Sequence, residues 1–232
     1  MNILESKNIN LLIDFDSTFI KDESLELFSS ISLKEISNKD VIIKKIAQLT
    51  TDAMEGNIKF SDALNKRIKL LQAHKDHIKI IINKIQENIT DSFLSNKQFF
   101  NDNYKNCYII SGGFIEIIYP IVKPFKIEKT NIFANQFLFN ENNDIISLDK
   151  ANPLSKDEGK VKIAKRIKGT NIIIGDGFTD YEVKKYGAAE KFIQFSGNIN
   201  RKKLNPLADY IANDFNEIIN CININFFNQP NE

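Results

Sequence analysis

The 232-residue chain has no tryptophan, two cysteines, two methionines, two histidines, five prolines and nine glycines. Each scarcity excludes something. Cys107 and Cys221 lie far apart, so they form neither a disulfide framework nor the close pairs of a zinc site, and a reducing cytoplasm is the expected compartment. His74 and His77 make an HxxH pair with no third ligand near them in sequence, which leaves a metal there unsupported. No run approaches the ~18 apolar residues of a membrane span. The opening MNILESKNINLLIDF lacks the basic start, long apolar core and small-residue cleavage site of a secretory leader, so none is expected. Net charge is only +1, which predicts no nucleic-acid or membrane partner. The basic run KVKIAKRIK (160–168) alternates with apolar residues at helical spacing and is expected to be a solvated helix face. No GxxxxGK[ST] occurs, which argues against a P-loop kinase.

What remains is ordinary for a globular protein: 42% hydrophobic and 26% charged residues. The length allows one large domain, or a core domain carrying an insertion. A buried strand is expected at 9–14. The stretch 22–98 is helical in pattern, with Ser61 a candidate N-cap for SDALNKRIKLL (61–71). HIKIIINKI (77–85) continues helical, although its isoleucines also suit a strand. Further on, NCYIISGG (106–113), TNIIIGDG (170–177) and KFIQFSG (191–197) read as strands. FIEIIYPIV (114–122), GKVKIAKRI (159–167) and TDYEVKKYGAA (179–189) read as helices, and 131–148 as a strand followed by a hairpin. Such alternation predicts an α/β fold, a Rossmann-like parallel sheet with helices on both faces. The core is expected in 1–20 and 99–232, with an inserted helical cap over 21–98.

Ligands bind such sheets at the carboxyl ends of their strands. Three strand ends here carry polar groups: IDFDST, ISGG and IGDGFTD. Each alone is weak, since the first also fits a capping turn, the second a turn and the third a loop. Together they bring four acids, Asp14, Asp16, Asp176 and Asp180, towards one edge of the sheet. Four carboxylates without a cation repel one another. A hard divalent ion with oxygen ligands, Mg²⁺ beside a phosphate being the common case, resolves that repulsion. Ser111, Gly112 and Gly113 offer a hydroxyl and backbone N–H groups to phosphate oxygens. A lysine near the start of helix 159–167 adds positive charge.

In their order, DFDST, ISGG, the helix lysine and GDGFTD resemble the four motifs of the haloacid dehalogenase-like phosphatase superfamily. The resemblance implies Mg²⁺ dependence and a covalent aspartyl-phosphate. It casts Asp14 as nucleophile and Asp16 as general acid/base, with Asp16 also binding the metal through its carbonyl. Ser111 would bind phosphate, Asp176 would hold the metal and Asp180 would support it. The motif lysine is Lys160 or Lys156. Helix phase favours Lys160, which places Ile163 and Ile167 inward.

Within that superfamily DFDSTFIKDE looks most like phosphoserine phosphatase. That family's glutamate nine residues after the nucleophile is Glu23 here. AMEGNIKFSDALNKRIKLL (53–71) resembles its cap. The implied roles are Glu23 for the substrate ammonium and Arg67 for its carboxylate, with Met54 and Phe60 as apolar walls; Thr179 joins the implied substrate contacts. The bland alternatives are an acid favoured by a helix start at Glu23 and a solvent-facing arginine at 67. Against the second, only three of the 31 basic residues are arginine (67, 166, 201), and Arg67 falls about 60° from Leu64 at ~100° per residue, at the edge of the apolar stripe.

The expected activity is hydrolysis of a small phosphorylated metabolite, O-phospho-L-serine before other esters. Transfer to an acceptor other than water, or a binding module without chemistry, are the alternatives. The tail CININFF (221–227) is expected to serve either the core or a homodimer contact.

Overall fold

The computed structural model describes residues 3–6 and 8–227. A short helix α1 (Ile3–Ser6) leads into β1 (Ile9–Ile13). Four helices follow, α2 (Ser24–Ser32), α3 (Lys39–Met54), α4 (Phe60–Leu71) and α5 (Asp76–Gln86), then α6 (Asp91–Ser95) and α7 (Lys97–Asp102). The chain continues through β2 (Cys107–Phe114), α8 (Ile115–Val122), β3 (Ile132–Asn135), β4 (Phe137–Phe139) and β5 (Ile145–Leu148). It ends with α9 (Gly159–Ala164), β6 (Thr170–Gly175), α10 (Phe178–Lys185), β7 (Lys191–Phe195), β8 (Tyr210–Ala212) and α11 (Phe215–Phe227).

Six strands form one parallel sheet in the order β3-β2-β1-β6-β7-β8. All five residues of β1 are buried, as a central parallel strand requires. Alternate residues serve opposite faces. Leu11, Ile13, Ile109, Ile172 and Ile174 join one core cluster; Leu12, Ile110, Ile173 and Phe192 join the other. The chain winds outward from β1 in both directions, so the order reverses there, where ligands bind in doubly wound sheets. Ile13 pairs with Ile109 on one side and Ile174 on the other. That register sends Asp14, the ISGG segment and the GDG segment out at the same end.

Phenylalanine does the work of the missing tryptophan in the larger core. Phe19, Phe93, Phe100, Phe125 and Phe215 meet at mostly tilted or edge-on angles, with Phe93 and Phe215 centroids 4.6 Å apart and Phe19 and Phe125 4.9 Å apart. Helices α6 and α7 supply Phe93 and Phe100 to this cluster.

The helical insertion is tied off at its neck. Ile20 and Ile89 form an antiparallel bridge, flanked by Lys21 N–H to Asn88 O at 2.8 Å and Thr90 N–H to Phe19 O at 3.0 Å. Asn198 Nδ2, from the loop after β7, donates among the carbonyls of Ser17, Thr18 and Ile20 and reaches Thr90 Oγ1 at 2.7 Å. One core side chain therefore touches both crossings.

Several local expectations change. Helix α4 begins at Phe60 with Lys59 in the capping position, so Ser61 is not the N-cap; its N–H is satisfied instead by Asp157 Oδ1 at 3.0 Å, from outside the insertion. Helix α9 stops at Ala164, and Asn171 Nδ2 donates to the carbonyls of Ala164 and Ile167 at and beyond its end. Lys162, Lys165 and Arg166 are exposed, as a solvated face requires. His74 and His77 each accept a backbone N–H on Nδ1, from Asp76 and His74. In the tail, Cys221 and Ile222 enter the core; the side chains of 224–227 lie outside the described residues.

Candidate active site

At the carboxyl end of the sheet, beneath the inserted helices, lies a small cavity. Asp14, Asp16, Ser111, Gly112, Lys160 and Asp176 line it from the sheet side. Glu23, Met54, Phe60 and Arg67 line it from the insertion. The sequence had separated these groups by up to 162 positions; strand register and the folded-over helices bring them together.

Asp14 leaves β1 with its Oδ1 accepting the Phe15 N–H at 2.7 Å. Its Oδ2 lies 2.8 Å from Lys160 Nζ, which also donates to Asp180 Oδ1 at 2.7 Å. Lys160 is 6% exposed. Burial disfavours its ammonium, but the Asp14 and Asp180 carboxylates outweigh that and hold its pKa above the ordinary lysine range. Lys156, four residues earlier, is exposed. Asp180 sits in the first turn of α10, where its Oδ2 accepts the Gly177 N–H at 3.1 Å. Its carboxyl packs so closely on Gly175 that a Cβ there would overlap it.

The chain turns sharply after Asp14, and Ser17 takes a φ of 53°, an uncommon backbone state for a non-glycine residue. The turn sends Asp16 towards α2, where its Oδ1 accepts the Ser24 N–H at 2.8 Å. Burial, with a contribution from Asp14, pushes the Asp16 pKa up to about 6. Glu23 Oε1 accepts the Ser17 hydroxyl at 2.9 Å and stands 3.6 Å from Arg201 Nη2. Arg201 Nε donates to Asp176 Oδ2 at 2.7 Å.

Arg201 was missed by sequence reasoning. The signal was its rarity: it is one of the three arginines in a lysine-rich chain, and the same observation had singled out only Arg67.

Arg67 is 4% exposed, and its Nη1 donates to Thr50 Oγ1 at 3.1 Å while its Nε has no partner. Met54 and Phe60 wall the cavity, and Phe60 lies over Gly112 where a Cβ would collide with the ring. Ser111 Oγ accepts the Gly113 N–H at 2.9 Å, which leaves its proton for an acceptor. Thr179 does not line this cavity. It lines an adjoining crevice with Phe60, Gly112 and Lys160, and its buried Oγ1 has no partner.

Five buried or nearly buried carboxylates (Asp14, Asp16, Glu23, Asp176, Asp180) thus share the site with three cations (Lys160, Arg67, Arg201). Burial, then mutual repulsion, raises Glu23 and Asp180 well above the carboxylate range; Asp176 is raised by burial against the pull of Arg201. Carboxylates outnumber cations here, an imbalance that a hard cation would relieve. Asp14, Asp176 and Asp180 each offer an oxygen within 4.8 Å of the others, so the donor set fits a hard cation.

Comparison with known proteins decides the family. The chain is 30% identical over 234 residues to a chloroplastic phosphoserine phosphatase of Arabidopsis thaliana, covering 95% of this chain and 77% of that one. It is 28% identical to the human phosphoserine phosphatase over 211 residues, 89% of each. Among solved structures, a phosphoserine phosphohydrolase-like protein from Francisella tularensis superposes with a TM-score of 0.83 at 35% identity, covering 92% of this chain and 99% of that one. The chain belongs to the phosphoserine phosphatase family. No protein-family model matches it. Membership makes it a phosphoric monoester hydrolase with a haloacid dehalogenase-like, Rossmann-type core. Among the described residues no helix is long and apolar enough to cross a membrane.

Proposed function

We propose that the protein hydrolyses O-phospho-L-serine to serine and inorganic phosphate through a covalent phosphoryl-Asp14. One observation carries the substrate: the buried Arg67 guanidinium, with an unpartnered Nε, lines the same closed cavity as Glu23 and Asp14. A ligand with a phosphate, a carboxylate and an ammonium matches those three groups.

Asp14 attacks phosphorus through its carboxylate while the serine Oγ leaves with a proton from Asp16. Asp16 then takes a proton from water, whose oxygen displaces the Asp14 carboxylate and frees phosphate. Lys160 and Ser111 hold the phosphoryl oxygens. Asp14, Asp176, Asp180 and the Asp16 carbonyl would hold Mg²⁺, which supplies charge neutralisation for the phosphoryl group when bound. Thr179 Oγ1, in the adjoining crevice beside Gly112 and Lys160, would be a further donor to the phosphate in this reading. Water is the acceptor in this reading, rather than another metabolite. We place the cap at 21–88, closed by the Ile20–Ile89 bridge, with α6 and α7 in the core. Buried Cys107 and Cys221 suit a reducing compartment such as the cytoplasm.

The test is the ratio of kcat/KM for phosphoserine to that for an aryl phosphate, which has no carboxylate or ammonium. Arg67→Lys keeps the charge but loses the planar fork, and it should lower that ratio. Arg67→Ala should lower it further, by ~30-fold or more, as expected for one member of a buried charge pair. Glu23→Gln should act in the same direction through the ammonium. A wild-type ratio near one, or a ratio untouched by all three substitutions, removes the phosphoserine assignment and leaves a phosphatase of other esters.

A further inference from the structure

Thr50 stands on α3 one turn before Met54, and it is almost completely buried. Threonine is a mediocre helix former, and a buried hydroxyl must find partners. Its Oγ1 accepts the Arg67 Nη1–H at 3.1 Å. The same hydroxyl donates to the Ile46 carbonyl at 3.2 Å. A hydroxyl has one proton and two lone pairs. With the proton given to Ile46, a lone pair remains for Arg67.

The guanidinium geometry gives this contact a consequence. Nη1 lies on the Cδ side of the planar group. The opposite edge carries Nε–H and one Nη2–H in parallel, the arrangement that receives a carboxylate side-on. Fixing Nη1 to Thr50 leaves that bidentate edge uncommitted in a side chain that lines the cavity, and Nε is a nitrogen with no partner. We propose that Thr50 is the positioning residue for Arg67 and, through it, a determinant of specificity for the substrate carboxylate. Without that contact the long side chain must be ordered when the ligand arrives, which weakens binding. The inference rests on reading the site as a phosphoserine pocket.

Thr50→Val keeps the shape and removes the hydroxyl; Thr50→Ser keeps the hydroxyl. The experiment measures kcat and KM separately for O-phospho-L-serine and for p-nitrophenyl phosphate, with thermal midpoints as a check of folding. In Thr50→Val the KM for phosphoserine should rise ~10-fold or more, the loss expected for a hydrogen bond to a charged group. Its kcat should change much less, the phosphoserine-to-aryl ratio should fall, and Thr50→Ser should recover most of that ratio. If Thr50→Val does not fold, Thr50→Cys, a weaker acceptor, should show the same fall in smaller measure. A folded Thr50→Val that keeps the wild-type ratio, or a folded Thr50→Ser that fails to recover it, overturns the proposal. The two readings fail separately. A wild type without preference for phosphoserine removes the substrate assignment. A preference that is lost in Arg67→Ala yet kept in Thr50→Val removes only the role of Thr50.

Discussion

Lys160 Nζ lies 2.8 Å from Asp14 Oδ2 and 2.7 Å from Asp180 Oδ1, so one buried ammonium joins the proposed nucleophile to a proposed metal-site carboxylate. Lys160→Ala should lower kcat/KM by ~30-fold to several thousand-fold, the range for removing one partner of a buried charge pair. Lys156→Ala, at an exposed position, should stay near wild type. Steady-state kinetics on the two variants check this. If the Lys156 variant is the inactive one, the helix register argued here is wrong.

Asp14→Asn removes the attacking carboxylate without changing its shape, and should abolish turnover while the fold persists. Asp16→Asn should cost roughly 10²–10⁴-fold, the usual worth of a proton-transfer group. Chelation by EDTA should silence the wild type, and added Mg²⁺ should restore it. Retained hydrolysis by pure Asp14→Asn protein would rule out the covalent route.

Protonation of the acid cluster makes the stability of the metal-free protein depend on pH. Burial raises the Asp16 pKa in the fold to about 6, from the ~3.9 of an ordinary aspartate. Glu23, Asp176 and Asp180 are raised as well. Between the two values the folded chain holds protons that the unfolded chain has lost, so stability falls as pH rises through that window. For Asp16 alone the span is worth at most about 3 kcal/mol at ~1.4 kcal/mol per pH unit. In EDTA the melting temperature should therefore be higher near pH 5 than near pH 7.5. Mg²⁺ should stabilise more at the higher pH, where the carboxylates are ionised. A metal-free melting temperature that climbs over the same interval would show that the existing cations already satisfy the cluster.

The chain's own order made much of this visible. Runs such as NLLID and TNIIIG are short, apolar and suited to buried strands, and their polar ends point to Asp14 and Asp176. Spacing along α9 was enough to prefer Lys160, because a helix fixes which side chains share a face. Short or irregular elements were less legible. Strand β8 spans only Tyr210–Ala212, too few residues for a period to register. The Ser61 N–H found its partner in Asp157, 96 positions away, which no local capping rule detects. Arg201 became a site residue only because the loop after β7 folds back on Asp176, 25 positions earlier. The roles of Thr50 and Arg67 likewise needed α3 packed against α4. Local periodicity and charge determined which segments fold into which elements, because those depend on neighbours in sequence. Tertiary packing decided which buried charge meets which, because that energy depends on distance in space.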